Sequence, residues 1–513
     1  MYKKSILGIL IVVIFFSCKK DWNAHYEPTV KTINTNVWEA IQKDGNLSLF
    51  VQYVKKYQFD TLFLKNQTYS LFIPTNEAFA QFIDSANATR SLIKYNITEF
   101  FIQSGNIWGK KKVQTLGEKF SLFERNGSGS FLDGISLKFE SPLYINGKYF
   151  IMDKIAYPKA NIYEYFAANN VILKKFIDSQ DSIVLDKTKS RPLGFDSLGR
   201  TIYDTVATIY NKFEHKYFPV SKESRYKTAT IVFPKQEDYN AGLTIMAQTL
   251  GGNFHDYKDI PLDWQNKYLV PYLLNHGIFE NMLEENEFVL APGKDTLKLK
   301  NILGDSVAID YTVTQKTLCS NGYAYNYENF RVPDTLWAAK IRFEAEKLLR
   351  FIGIGKYGWK DGVVSLPTSF SPLQVYVPTY ASNDSVLRVN FPTSPRYAGN
   401  FSLTFNVDNL FPRKYLMVVR THMNYGGIYD IYVNDQLVRN IDYASLATGI
   451  SPSVEPTINR YVKDKIGNIS FDCWVNSLVE YGKAKISFVY RGPSTVLYPA
   501  LSIDYIDFRP YSQ

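Results

Sequence analysis

Four aromatic residues stand in glycine- or asparagine-containing segments: Trp359 in "KYGWKDG", Tyr397 in "SPRYAGN", Tyr425 in "HMNYGGIYD" and Trp474 in "FDCWVNS". A ring on such a segment offers a flat face on which the apolar face of a sugar can stack. In a chain with 38 Tyr and 35 Phe, packing is the commoner use of a ring. Covalent chemistry has little to work with. There is no GxSxG and no phosphate-cradling loop, and the GxG of "FIGIGKYG" opens no helix. The acid pair Glu284-Glu285 lies in a polar helical segment with no reason to flank a scissile bond. The five histidines lie far apart and no CxxC or HExxH occurs, which argues against a transition-metal centre. The chain therefore reads as non-enzymatic. One thiol stands apart: Cys18 ends the apolar run "VIFFSC" and is followed at once by Lys19, Lys20 and Asp21.

The elements ahead of that thiol explain it. Lys3-Lys4 precede an apolar stretch from Ile6 to Phe16, then Ser17 and Cys18: a basic start, a short apolar core and a small residue make a secretory signal. The stretch is well short of the ~20 residues that span a bilayer, and no later segment is long and apolar enough to do so. Phe15-Phe16-Ser17-Cys18 resembles a bacterial lipobox, which implies that Cys18 is acylated and becomes the first mature residue. Acyl chains contribute about 0.8 kcal/mol per buried CH₂, so several on one cysteine hold a protein to a membrane. Residues 1–17 are thus expected to be a signal peptide and 18–36 a lipidated tether. The Lys/Asp start after Cys18 resembles export signals of lipoproteins that face outward on some Gram-negative outer membranes.

The 513 residues suggest several domains. A formal charge of +9 is modest beside 58 basic and 49 acidic residues. Lys110-Lys111-Lys112 reads as a solvated loop rather than a phosphate patch. With a secreted location, this argues against nucleic acid. Beyond Cys18 only Cys319 and Cys473 remain, so no disulfide framework exists and ordinary cores must hold the domains.

Asn36 to Ile41 opens an amphipathic helix continued by Leu49, Phe50, Tyr53 and Val54. "YSLFIPTNEAF" (69–79) then reads as a buried strand stopped by Pro74, a Thr75 cap and an acid-led helix. It is similar to the first signature of the fasciclin (FAS1) domain, and Asn146 to Lys154, "NGKYFIMDK", resembles the second, a glycine-centred hairpin before a final strand. Asn96 takes the place of that family's histidine. A looser copy follows: "TIVFPKQEDY" (230–239), His276 restoring the histidine, and Asn321-Gly322 for the hairpin. The resemblance implies two FAS1-like α+β domains, residues 37–159 and 160–337, in which the histidine is a buried, hydrogen-bonded core residue. The second carries an insertion near 180–221, read as an added hairpin.

From 338 to 513 short alternating strands separated by Gly, Pro and Asn predict a β-sandwich. "FEAE" (343–346), "YDIYVND" and "LSIDYIDF" resemble the galactose-binding-like jelly roll of some carbohydrate-binding modules. That resemblance implies sugar binding through Trp359, Tyr397, Tyr425 and Trp474. It also allows one structural calcium at Glu344, Glu346 and Asp504; the alternative for these carboxylates is a solvent-facing place on edge strands. The chain is multidomain, α+β followed by all-β. Its expected role is that of a non-catalytic outer-membrane lipoprotein, facing the cell exterior, that binds extracellular polysaccharide or glycoprotein. Such a build resembles accessory components of TonB-dependent glycan importers, with a transporter and its lidding lipoprotein as partners. Adhesion, or a scaffold in an envelope complex, is the alternative.

Overall fold

The computed structural model describes residues 32–81, 90–186, 188–223, 227–353, 356–359, 362–365, 371–379, 381–390, 397, 399–422, 426–443, 461–463, 468–475, 478, 481–494 and 500–511. Cys18, its signal and most of the tether lie outside them. No helix among the described residues is long and apolar enough to cross a membrane. The chain forms two compact units. One holds the chain through Gln236 together with Leu273–Glu328, and the other holds Glu237–Tyr272 with Asn329–Gln513.

In the first unit, strand Tyr69–Pro74 is buried at all six positions and lies parallel to Gly147–Met152. Side-chain alternation sorts its residues to two cores. Tyr69, Leu71 and Ile73 join Phe50, Val54 and Leu92 on the helical side, and Phe72 joins Phe123, Phe150 and Met152 on the other. Antiparallel strands Ile97–Thr98 and Ile135–Glu140 flank this pair, and Gly129–Leu132, Phe120–Asn126 and Gly109–Gln114 extend the sheet to seven. The basic triplet is therefore a strand, not a loop. Charged residues on such an edge deter pairing with other chains, and Lys110 is held by Glu284.

The same four-strand arrangement recurs. Ala229–Pro234 lies parallel to Gly322–Tyr327, flanked by antiparallel Ile278–Glu280 and Val313–Cys319. Even the register repeats: Leu71 faces Ile97 and Tyr149, and Ile231 faces Ile278 and Ala324. Between these cores the insertion is one long hairpin of two ribbons, Asp181–Leu185 with Ala207–Asn211 and Arg191–Phe195 with Thr201–Asp204. Nearly all of its residues are exposed.

The second unit contains two antiparallel sheets about a common core. The five-stranded sheet runs Ile341–Glu344, Tyr505–Pro510, Tyr415–His422, Asn468–Val475, Tyr461–Lys463. The other has seven strands, among them Ser402–Leu410, Gly482–Gly492, Ile428–Val433 and Gln436–Asp442. Met417, Val419, Cys473 and Phe508 from the first meet Leu403, Ile431, Ile486 and Phe488 from the second. A three-stranded sheet, Ser371–Tyr376, Ser385–Asn390 and Ala500–Ile503, completes it. Helical residues of the same unit pack beside this sandwich: the rings of Trp264 and Phe254 stand 5.3 and 6.1 Å from that of Phe411. Cys319 and Cys473 are both buried and unbridged.

Candidate functional site

Asp504 precedes strand Tyr505–Pro510, and its neighbour strand delivers Glu344 opposite Tyr505. Asp504 is only 2% exposed and Glu346 3%. All three carboxylates close on one turn, Ser382–Asp384, whose Asn383 and Asp384 are left-handed at φ 53° and 58°. The Ser382 amide donates to Asp504 Oδ1 and Oδ2 (3.0 and 3.1 Å), its hydroxyl to Glu344 Oε1 (3.0 Å), and Asn383 Nδ2 to Glu346 Oε1 (3.1 Å). Left-handed backbone at a non-glycine persists where surrounding bonds over-determine it, and these bonds do so. Burial pushes the Asp504 carboxyl up to about 7, with Glu344 and Glu346 adding to the rise against the Ser382 amide and Arg420.

The solvent-facing alternative is corrected for Asp504 and Glu346 by their burial, whereas Glu344 is half-buried. Calcium takes six to eight oxygens around one point. The donor chemistry is right, and Glu344 Oε2 and Glu346 Oε2 are buried without a hydrogen-bond partner. Among the described residues no three Asp, Glu, His or Cys side chains are grouped so as to hold a metal. What the carboxylates hold is the turn.

On the outer face of the five-stranded sheet, Trp474 alternates with buried Cys473 and Val475 and is half-buried. The Tyr511 ring meets it edge-on at 4.8 Å, and Lys414 Nζ lies 4.9 Å from its centroid. Pairing sets Trp474, Leu416 and Arg509 in one row across three strands. Further along, Arg342 forks onto Asp507 (2.7 and 3.0 Å) and its guanidinium lies 3.5 Å from the Tyr505 ring. The face thus combines an accessible indole, an ammonium and a fixed guanidinium ladder. Such a surface can stack a pyranose ring and hydrogen-bond its hydroxyls.

The other expected aromatics lie elsewhere. Tyr397 packs on the sandwich core, stacked at 5.9 Å on Tyr490, with its hydroxyl donating to the Asn400 carbonyl at 3.1 Å. Trp359 ends strand Lys356–Trp359, its side chain outside the described set, and Tyr425 lies outside the described residues altogether. Lys414, Tyr511, Arg342 and Asp507 were not singled out by sequence reasoning. The alternation in "YIDFRPY" carried the signal for Asp507 and Arg509, whereas nothing local pointed to Tyr511.

In the first unit both asparagines of the Asn-Gly pairs cap a distant helix. Asn146 Oδ1 accepts the Val37 amide at 2.8 Å, and Asn321 Oδ1 accepts the Ile162 amide at 2.9 Å. Asn96 is buried and donates to the Leu92 and Ala156 carbonyls (2.9 and 3.1 Å). His276 is half-buried, and its carbonyl accepts the Tyr311 hydroxyl at 2.9 Å. Two ordered strand signatures paired in parallel, a capping asparagine and an amide linking helix end to loop bound the first core. Residues 45–158 match the fasciclin domain family.

The fasciclin match covers under a quarter of the chain. No curated protein matches the chain. Among solved structures, a GH26-CBM35 β-(1,4)-mannanase of Podospora anserina is 13% identical over 34% of this chain and 28% of its own, with a TM-score of 0.20. An exo-β-1,3-galactanase of Phanerochaete chrysosporium is 16% identical over 40% and 38%, TM-score 0.19. The ANX2 ectodomain of Arabidopsis thaliana is 12% identical over 38% and 59%, TM-score 0.21. The chain thus spans less than two thirds of each of these neighbours. At such TM-scores the likenesses decide nothing about this chain's chemistry.

Proposed function

We propose that this protein is a non-catalytic lipoprotein, anchored to the outer membrane through acylated Cys18 and facing outward, that binds an extracellular glycan or glycoprotein. In this reading the recurring four-strand core is a second FAS1-like domain, and the sandwich is a galactose-binding-like jelly roll that makes the contact. The observation that carries the reading is the half-open Trp474 ring, walled by Tyr511 and Lys414 and in row with Arg509 on the outer sheet face. The protein would serve as an accessory of a TonB-dependent glycan importer. A pull-down from detergent-solubilised outer membranes tests this, and recovery of a transporter barrel with its lidding lipoprotein is the expected result. Recovery of the protein alone sinks the importer role. Retardation of the full chain in polysaccharide-containing gels tests the binding face, and Trp474→Ala is expected to abolish it.

The fasciclin match favours one second reading, adhesion. Loss of surface attachment on deletion of the protein, with growth on glycans intact, would select it.

A further inference from the structure

The root of the inserted hairpin encloses a cavity of about 810 Å³ in the first unit, within the ~300–1,000 Å³ usual for ligand sites. Its floor is the buried pair Ile177 and Phe218. One wall is the end of helix Val171–Ser179, and another is helix Lys212–Lys216, whose N-cap Asn211 also closes the hairpin by pairing with Asp181. The first core has only a short helix, Asp60–Leu64, between its second helix and its parallel strand and no hairpin there, so the insertion supplies one side of the cavity.

Its chemistry is that of a neutral sugar site. Tyr163, Tyr210 and Tyr217 line it together with His215, whose ring meets Tyr210 edge-on at 5.1 Å. Tyr210 and His215 are both exposed. Planar polar groups are fixed among the rings. Asp178 accepts the Tyr163 hydroxyl at 2.8 Å, Asn211 Nδ2 donates to Asp181 at 2.7 Å, and Glu214 accepts the Ser221 amide at 2.8 Å. Fixed carboxylates and amides with spare lone pairs suit the paired hydroxyls of a sugar, while rings take its apolar face.

Charge narrows the class further. Asp178 is ion-paired with Lys174 and Glu214 lies 3.9 Å from Lys222, so these walls carry compensated charge. In all, four acids line the cavity, Asp178, Asp181, Glu214 and Glu280, against two lysines, Lys222 and Lys227. A phosphate or uronate would meet no excess positive charge there, and an uncharged polyol would lose nothing.

We infer that this cavity is a second carbohydrate site, taking a short neutral oligosaccharide, separate from the sandwich face and walled on one side by the insertion. It shares no residue with the face around Trp474, so the two stand or fall apart. The test titrates the full chain by calorimetry with manno-, gluco- and galacto-hexaose in turn, for wild type, Tyr210→Ala, His215→Ala and Trp474→Ala. The expected result is that at least one hexaose binds and that each of the two cavity variants weakens it about tenfold or more. Trp474→Ala should leave that component in place. Both cavity side chains are exposed, so unchanged thermal unfolding separates lost binding from lost fold. The site is overturned if no hexaose binds at millimolar concentration. It is equally overturned if both cavity variants bind like wild type, or if only Trp474→Ala loses binding. Spermidine binding at the cavity without any sugar would assign it to amines and overturn the sugar class.

Discussion

The two four-strand cores of the first unit solve one problem with the same residues and then diverge. In each, a parallel strand pair begins with Asn-Gly, the asparagine caps a helix far away in sequence, and the glycine lies against the neighbouring backbone. They differ at Asn96 and His276, in the Lys235 that replaces the Thr75 cap, and in the inserted hairpin that only the second carries. What is shared is what the close parallel pairing demands. What differs lies where the fold leaves freedom, and there the second core has acquired a cavity. Asn96 shows the first half of this. An amide serves where the family has histidine because the position must bond two carbonyls, which needs donors and no titration.

The shared glycines give the harshest test. A Cβ at Gly147 would stand 1.9 Å from the Tyr69 carbonyl oxygen, and one at Gly322 would stand 2.0 Å from that of Ala229. Both obstacles are backbone atoms in the parallel partner, so relief requires the strands to part. Gly147→Ala carries the added strain of φ +142°. Each substitution is expected to destabilise by about 3 kcal/mol or more, at the upper end for overpacking, measured by chemical unfolding. A change under about 1 kcal/mol in either would break the equivalence of the cores.

The capping asparagines come next and sharpen the comparison. Truncation to alanine leaves a buried amide, Val37 or Ile162, without its acceptor, which costs about 1–3 kcal/mol. Asn321 Nδ2 also donates to the Val220 carbonyl at 2.7 Å, whereas Asn146 Nδ2 reaches the Phe63 carbonyl only at 3.5 Å. Asn321→Ala should therefore be the more damaging of the two, and equal losses would show that the amide nitrogens contribute little.

A smaller effect joins the cores. Glu284 of the second accepts from Lys110 of the first, and from Lys316 and the Tyr323 hydroxyl of its own. Partial burial alone would raise its carboxyl, but these donors outweigh it and hold the group down to about 2. The folded chain therefore keeps the charge that the unfolded chain loses near its ordinary value of about 4.3. The stabilisation is complete above that value and disappears as pH falls through about 2. The side chains are about a third exposed, so solvent screening limits the gain to about 1 kcal/mol or less. Glu284→Gln should lower the unfolding free energy by that amount at pH 7, and the difference should shrink as pH falls from about 4 through about 2. An unchanged value at pH 7 would mean that the cores hold together without it.

Much of this was legible in order along the chain. The strand, Pro74 and the cap at Thr75, whose hydroxyl accepts the Ala78 amide at 3.2 Å, were readable because a strand stop and a helix start are local. So were the Asn-Gly pairs, whereas Trp474, singled out for its place in an asparagine-containing segment, lies within strand Asn468–Val475. The basic triplet was misread because an edge strand tolerates consecutive lysines as readily as a loop does. The turn at Ser382 was invisible because its partners Glu344 and Asp504 lie 38 and 122 residues away. Burial of Asp504 and half-burial of Glu344 follow from strand pairing, which no local pattern fixes. The cavity was hidden for the same reason: its walls come from a helix, an insertion and a sheet edge, and only the fold gathers them.

The smallest expected effect belongs to the hairpin itself. Its two ribbons rest on backbone pairing, with Ile183, Leu193, Phe195, Leu198 and Ile209 all more than two-thirds exposed. A two-stranded ribbon is marginal by itself in water, so this one contributes almost nothing to the core beneath it. Replacing residues 183–208 with a short Gly-Ser turn keeps Asp181, Tyr210 and the Asn211 cap. Shortening the loop changes its closure entropy only slowly. Unfolding free energy should therefore stay within about 0.5 kcal/mol of wild type, as for changes remote from a core. A loss of several kcal/mol would show that the second core depends on its insertion for folding and would end the view of it as an addition to a finished domain. A neutral result keeps fold and insertion separable, and leaves the exposed apolar strands to be explained by what they meet outside this chain.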